Sequence, residues 1–195
     1  MRVAFAVILA LATPLLAQAS RHLGRTLAEW QADLESNRSI DRLLAVRSIG
    51  EMALAGEAGA AEALFGAMGH EDGSVRFWAA EAAAHLAEPY PSGETVLREA
   101  LKDPVPEVQV QAALAQIGSK ADQEALATLS RLLSHPNRGV RLHAAHAADS
   151  LGKRASPLTE ELRTALNDEF DYVQRVARHA LWTLGERPCP YRSCE

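Results

Sequence analysis

The chain has 195 residues, 48% of them hydrophobic and 23% charged, a composition typical of a folded globular protein and not of a disordered one. Its formal net charge of −5 provides no electrostatic reason to bind nucleic acid, so nucleic acid is excluded from the expected partners. Aromatic residues make up only 5%, and the apolar residues are mostly alanine and leucine, which favours closely packed helices over a β-sandwich.

The N-terminus has the three parts of a secretory signal peptide. Arg2 supplies positive charge, Val3–Leu11 is a continuous apolar run, and Ala17-Gln18-Ala19 has the form of a cleavage site. The alternative, a membrane anchor, would need about 20 apolar residues. The sequence therefore predicts a signal peptide over residues 1–19, cut before Ser20, and a periplasmic or secreted protein with no membrane attachment after cleavage.

Residues 20–187 alternate between helix and turn signals and predict five pairs of helices. Thr26 and Glu29 form a capping-box pattern at the start of the first helix, and Trp30 is expected to close the first end of the core. The penultimate helix is expected to be capped by Ser156, with Pro157 in its first position. The predicted helices are Leu27–Glu35, Asp41–Ala53, a short helix ending at Met68, Val75–Ala87, Ser92–Leu101, a slightly shortened Glu107–Ile117, Asp122–Leu133, Gly139–Leu151, Pro157–Leu166 and Asp171–Leu184.

The second helix of each pair carries a recurring pattern. The clearest copy is Ser134–Gly152, and variants lie at Asp72–Ala87 and Asp168–Gly185. Each copy has a polar anchor residue at the start of its helix, and the anchors are separated by 34, 33, 32 and 33 residues: Arg42, Arg76, Gln109, Arg141 and Gln174. An alanine stands three residues after every anchor. A fixed period of this length predicts an α-solenoid, in which each repeat is stabilised by stacking on its neighbours.

The repeat pattern, Asp/Pro-x-x-Val-Arg-x-x-Ala-Ala-x-Ala-x-x-x-Leu-Gly, resembles HEAT repeats of the bacterial, phycocyanobilin-lyase-like type over Leu27–Gly185. Its clearest carriers are Asp103-Pro104, Val140-Arg141, Ala144-Ala145 and Leu151-Gly152. The resemblance implies an all-α, right-handed solenoid of about five HEAT-type hairpins that acts as an interaction module. The last third is also similar to the HEAT-like C-terminal extension of some bacterial sulfatases, although the Cys/Ser-x-Pro-x-Arg motif of a sulfatase catalytic domain is absent.

The sequence contains no arrangement of residues that indicates catalysis. Deoxyhypusine hydroxylases, which are built from HEAT repeats, need several His-Glu pairs to hold two irons, whereas this chain has one, His70-Glu71. No Ser/His/Asp or Cys/His spacing stands out. We therefore predict no enzymatic activity, no catalytic residue, no cofactor and no metal site.

One flank of the second helices carries side chains suited to binding a partner. Positions two, five and nine after the anchor fall within about 60° of each other on a helix. The candidate partner-binding residues on this flank are Trp78, Glu81, His143, His146 and His179. The histidines have three interpretations: a binding stripe on the concave surface, ordinary hydrogen bonds in solvent or between repeats, or a weak Zn²⁺ or Cu²⁺ site. Trp78 is either a contact hot spot or packed against a neighbouring repeat.

The arginine anchors and the two cysteines have simpler interpretations. Arg42, Arg76 and Arg141 are expected to pair with the preceding aspartate or with backbone carbonyls between repeats, and anion binding is the alternative. Cys189 and Cys194 lie in the tail, residues 188–195, and are expected to form a disulfide in an oxidising compartment. Free thiols, intermolecular pairing or a metal site are the alternatives for the cysteines.

Together these patterns predict an exported protein–protein interaction scaffold without catalytic activity of its own. Its expected partner is another exported protein, whose identity the sequence does not give. The alternative is an accessory subunit of an exported hydrolase such as a sulfatase, shaping access to a polyanionic substrate.

Overall fold

The structure, a computed structural model, describes residues 21–86, 91–119 and 122–186. The predicted signal peptide over residues 1–19 and the predicted disulfide between Cys189 and Cys194 lie outside the described residues, so both stay predictions.

The regular structure of the described residues consists of helices. A 3₁₀ helix, Gly152–Leu158, separates the eighth and ninth α-helices. The α-helices are α1 Leu27–Asp33, α2 Ser39–Leu54, α3 Ala60–Ala67, α4 Gly73–Ala84, α5 Pro91–Ala100, α6 Pro106–Ser119, α7 Gln123–Leu133, α8 Arg138–Leu151, α9 Thr159–Ala165 and α10 Asp171–Thr183. None of the described helices has the length and hydrophobicity needed to cross a membrane.

The helices form two layers. Each odd-numbered helix packs against the even-numbered helix that follows it, and the even-numbered helices contact one another in series from α2 to α10. Contacts between odd-numbered helices are much sparser. The layer in which neighbours lie closest is the inner side of a curved stack, so the even-numbered helices form the concave surface. The predicted all-α solenoid is confirmed.

Small side chains explain why the even-numbered helices approach so closely. The alanine three residues after each anchor is fully buried in all five repeats: Ala45, Ala79, Ala112, Ala144 and Ala177. Larger side chains such as Ile49, Leu64 and Leu162 fill the space between the two layers and are also fully buried. Because one pair of helices cannot enclose these side chains alone, the core is continuous from repeat to repeat.

The helix boundaries confirm one local prediction and correct two. The capping box of Thr26 and Glu29 is present. Ser156, however, is not a helix cap: Pro157 lies inside the 3₁₀ helix and α9 starts at Thr159, because burial of Ala155 and Leu158 holds the preceding turn on the core. The expected shortening of Glu107–Ile117 is also wrong. Helix α6 has 14 residues, as many as α8, because it starts at Pro106, whose missing N–H costs nothing in the first turn.

The arginine anchors join adjacent repeats through paired hydrogen bonds. The Nε and one terminal nitrogen of Arg141 donate to Asp168 at 2.7 and 3.0 Å, and Arg76 donates to Asp103 at the same two distances. Arg42 donates to Asp72 at 3.1 and 2.6 Å. We call these three pairs the Arg–Asp clamps.

The partner of each clamp corrects the expectation of a preceding aspartate. Each aspartate belongs to the turn of the following repeat. Each arginine also donates to the backbone carbonyl six residues before it, in Ser36, His70 and His135. Bonds to backbone carbonyls are thus present, but the carbonyls belong to the turn of the same repeat and not to a neighbouring repeat. A planar guanidinium has donors on two sides, so one side chain holds its own turn and the next turn together.

Glutamine replaces arginine where no acid follows. Gln109 and Gln174 keep the bond to the carbonyl six residues earlier, at 2.6 and 2.7 Å. The turn after Gln109 has Asn137 in the place that Asp72 holds in repeat two, and Gln174 lies in the last repeat. A glutamine amide can satisfy its own turn but cannot form an ion pair with a neighbour.

Gly93 on α5 provides a first test of how closely the layers are packed. A Cβ at this position would lie within 2.8 Å of three carbons of the Phe65 ring, which is itself buried. Alanine normally stabilises a helix by up to about 1 kcal/mol relative to glycine, but overpacking costs about 1–3 kcal/mol. We therefore expect Gly93→Ala to lower the free energy of unfolding in a denaturant titration. Gly66→Ala is the control: its Cβ would meet no atom within 4 Å, so it should stabilise the protein, and equal effects of the two variants would contradict the proposed close contact.

Candidate binding site on the concave surface

An open cavity of about 410 Å³ lies where α4 faces the turn before α6. Its wall is formed by residues at the start of α4 and in α4, in the turn before α6, in the first turn of α6 and in α8. They are Asp72, Gly73, Ser74, Phe77, Trp78, Val105, Glu107 and His143. The volume is near the lower end of the range of small-molecule sites, and it is large enough to receive a side chain of a partner.

Three rings line the cavity. The rings of Phe77 and Trp78, which are consecutive on α4, have centroids 5.3 Å apart and are nearly perpendicular, at 79°. The His143 ring of α8 is stacked on Phe77, with centroids 5.7 Å apart and an angle of 11° between the planes. The guanidinium of Arg47, on α2, lies 4.6 Å from the centroid of Trp78. The curvature of the even-numbered layer therefore brings side chains of α4 and α8, two repeats apart, into contact.

The cavity carries negative charge. Asp72 accepts hydrogen bonds from Arg42, and the guanidinium of Arg42 and the N–H of Ser74 hold the pKa of that carboxyl below its usual value. The side chain of Glu107, which is half-buried, makes no hydrogen bond or ion pair with any described residue, and no lysine or arginine of the described residues lines the cavity. The carboxylate of Asp72 is thus paired, whereas that of Glu107 has no ion-pair partner among the described residues.

The structure brings two of the five predicted binding residues together. Trp78, packed on the core and half-buried, and His143 both line the cavity. Glu81 is outside the cavity wall, with an oxygen 3.5 Å from Nε2 of His85 on the same helix. His146 is exposed on α8. The cavity thus brings together two of the five side chains, and partner binding by the five stays a prediction.

His179 follows the ordinary interpretation of the histidines. Its Nδ1 lies 2.6 Å from a carboxylate oxygen of Asp149, a hydrogen bond that connects α10 to α8, and its ring is 5.3 Å from that of Trp182. Within residues 21–86, 91–119 and 122–186, no three His, Cys, Asp or Glu side chains are grouped as a metal site requires. His179 thus contributes to the junction of the last two repeats.

Sequence reasoning missed Phe77 and Glu107. Phe77 lies one residue after its anchor, outside the flank defined by positions two, five and nine. The feature of the sequence that points to Phe77 is the pair of adjacent aromatic residues, Phe77-Trp78, in a chain with only 5% aromatic residues. Glu107 comes from a different helix, so the spacing within α4 gives no signal for it. Only the stacking of repeats places Glu107 beside the rings.

The comparisons with known proteins agree with this fold. Residues 93–182 match the family model of HEAT repeats, and no curated protein matches the chain. The structure of the complex of CpcE and CpcF of phycocyanin lyase from Nostoc sp. PCC7120 is similar with a TM-score of 0.61 and 22% identity, covering 88% of this chain and 69% of that chain. An engineered protein is similar with a TM-score of 0.55 and 25% identity over 82% of this chain and 81% of its own.

A designed armadillo repeat protein in complex with peptide (KR)4 is also similar, with a TM-score of 0.56 and 19% identity over 81% of each chain. The resemblance to sulfatase extensions has no support among these matches, whereas the resemblance to HEAT repeats is confirmed over residues 93–182. The chain is an all-α solenoid with the fold of HEAT and armadillo repeat proteins.

Proposed function

We propose that this protein is an interaction scaffold that binds another protein on its concave surface and has no catalytic activity of its own. The observation that carries the proposal is the open cavity lined by Phe77, Trp78 and His143. Tryptophan is enriched among the residues that dominate binding energy at protein interfaces. The fold supports the same function, because curved stacks of helical repeats are typical of protein-binding modules and a designed armadillo repeat protein of similar fold is in complex with a peptide.

We expect a specific partner to be captured by the wild-type protein and lost from Trp78→Ala in a cross-linked capture from the envelope fraction of the host. The wild-type protein, Trp78→Ala and Arg98→Ala are used in parallel. Arg98→Ala is the control: Arg98 pairs with Glu94 on the exposed side of α5, which belongs to the layer of odd-numbered helices and not to the concave surface. The specific partner should be retained by the wild-type protein and by Arg98→Ala but bind Trp78→Ala about 30-fold more weakly or worse.

Thermal unfolding of each variant distinguishes a contact residue from a core residue. A large fall in the melting temperature of Trp78→Ala would assign Trp78 to the core, and His143→Ala, in the part of the cavity wall contributed by α8, then serves as the test variant. Partners captured equally by the wild-type protein and by folded variants at both positions would contradict binding at the concave surface.

We propose further that the protein is exported, on the basis of the signal-peptide pattern in residues 1–19. Expression of the full chain in a Gram-negative bacterium is expected to give periplasmic protein that begins at Ser20, as determined by mass spectrometry of the intact chain. Replacing Leu9 and Leu11 by arginine should keep the protein uncut and inside the cell. An uncut wild-type protein that keeps Met1 would contradict export.

A further inference from the structure

We propose that the concave cavity receives an arginine side chain of the partner, held by the carboxylate of Glu107 and by the rings of Phe77 and Trp78. The inference rests on the proposed function, since it specifies the chemistry of the partner at the same surface. Its basis is the combination, in one open cavity, of two aromatic rings with a carboxylate that has no ion-pair partner among the described residues.

The charge of the cavity selects a cation. The carboxylate of Asp72 is already paired with Arg42, whereas that of Glu107 has no hydrogen-bond or ion-pair partner among the described residues and no lysine or arginine lines the wall. An anionic group would be repelled by Glu107. A neutral apolar side chain would remove Glu107 from water without offering a hydrogen bond, which is unfavourable for an ionised group. A basic side chain satisfies the charge and the hydrogen-bonding capacity of Glu107 together.

The rings favour arginine over lysine. Phe77 and Trp78 meet at 79°, so the two rings form a corner and not a flat wall. A guanidinium is planar, so it can stack on an aromatic face while its N–H groups donate in the plane to a carboxylate. The protein already shows such a contact, since the guanidinium of Arg47 lies 4.6 Å from the centroid of Trp78. Trp78 lines the cavity and Arg47 does not.

The aromatic pair of the site occurs in one repeat. Repeat two has Phe77-Trp78 directly after its anchor, and none of the other four repeats has two aromatic residues there: Leu43-Leu44, Val110-Gln111, Leu142-His143 and Arg175-Val176. We therefore expect one arginine to be bound per chain, at a fixed point of the concave surface, and not a series of equivalent side chains along it.

Fluorescence anisotropy of labelled peptides tests the proposal on the full mature chain. The probe is an octapeptide of alternating glycine and arginine, and the matched peptide has citrulline, the neutral isostere, in place of arginine. We expect the wild-type protein to bind the arginine peptide, and Glu107→Gln to bind it about tenfold more weakly or worse. Glu99→Gln is the control. Glu99 is exposed on α5, and its replacement changes the net charge by the same amount, so this variant should bind the arginine peptide like the wild-type protein.

Three outcomes would overturn the proposal. They are the absence of arginine-peptide binding by the wild-type protein up to about 1 mM, equal binding by Glu107→Gln and the wild-type protein, and equal affinity for the arginine and citrulline peptides. Capture of the native partner separates this inference from the proposed function. A partner lost by Trp78→Ala but kept by Glu107→Gln would overturn the arginine site alone, whereas a partner kept by folded Trp78→Ala and His143→Ala would overturn the concave binding surface itself.

Discussion

Replacing Arg141 by methionine is expected to lower the free energy of unfolding by about 3–5 kcal/mol. In the folded protein the Asp168 carboxylate, whose side chain is only 7% exposed, accepts two hydrogen bonds from Arg141. The variant removes the partner and leaves a buried charge, and it also removes the donors to the carbonyls of His135 and Pro136. Denaturant titration followed by circular dichroism measures the loss.

Arg175→Met is the matched control for this prediction. Arg175 lies 3.5 Å from Asp171, but both side chains of this pair are more than 60% exposed. Exposed pairs contribute little, so the control is expected to change the free energy of unfolding by about 0.5 kcal/mol at most. Similar losses for Arg141→Met and Arg175→Met would show that the Arg–Asp clamps do not stabilise the junctions between repeats.

The same clamp predicts a pH dependence with a definite sign. The hydrogen bonds from Arg141, together with the N–H of Phe170, hold the pKa of Asp168 below its usual value. A carboxyl whose pKa is lower in the folded state contributes its full stability above the unfolded pKa of about 3.9, and the contribution is lost as the pH falls through the folded pKa. The unfolded state of this carboxyl is the same in the wild-type protein and in Arg141→Met, so their stability difference follows the folded pKa of Asp168 in each protein. The difference should be largest near neutral pH and should narrow as the pH falls, first because the buried, unpaired carboxyl of the variant takes up a proton and then because that of the wild-type protein does. A difference that does not narrow would contradict an ionic clamp.

The period of the repeats was enough to predict the helices of this fold. The anchors recur at nearly constant intervals. The alanine three residues after each anchor lies where neighbouring helices approach each other, so its burial is expected, and Ala45 and Ala144 are fully buried. The ends of the helices were less predictable. Ser156-Pro157 has the local signals of a helix start, yet the chain forms a 3₁₀ helix there because Leu158 is held on the core. Tertiary burial overrides a local capping preference of about 1 kcal/mol.

The partners of side chains in other repeats could not be predicted from spacing within one helix. The sequence pattern predicts that Arg76 pairs with the aspartate that precedes it in the chain. The stacking of repeats instead places Asp103, 27 residues later in the chain, within its reach. The cavity is formed in the same way, by α4, the first turn of α6 and α8, so Trp78 and His143 were identified while Glu107 was not. A repeat sequence reports what each helix buries, whereas the curvature of the stack decides which exposed side chains meet.

Replacing Trp30 by alanine is expected to destabilise the first repeat by about 3–5 kcal/mol, the usual cost of removing a buried tryptophan. Trp30 is 2% exposed, its Nε1 donates to the carbonyl of His22 at 3.2 Å, and the guanidinium of Arg25 lies 4.2 Å from its ring. In a solenoid most contacts of a repeat are with its immediate neighbours, so the loss is expected to be local. Helix α1 should exchange its amide hydrogens rapidly while α8 keeps its protection.

Trp182→Ala, at the other end of the solenoid, is the control for that experiment. Trp182 is only half-buried, so its removal leaves a smaller cavity and should cost less than the removal of Trp30. Its effect should also appear in α10 and not in α1, because the two ends share no contact in the described structure. Hydrogen exchange measured by mass spectrometry resolves the two ends in one experiment. Uniform loss of protection along the chain in Trp30→Ala would show that the repeats unfold as one cooperative unit, and unchanged exchange in α1 would show that Trp30 does not close the end of the core.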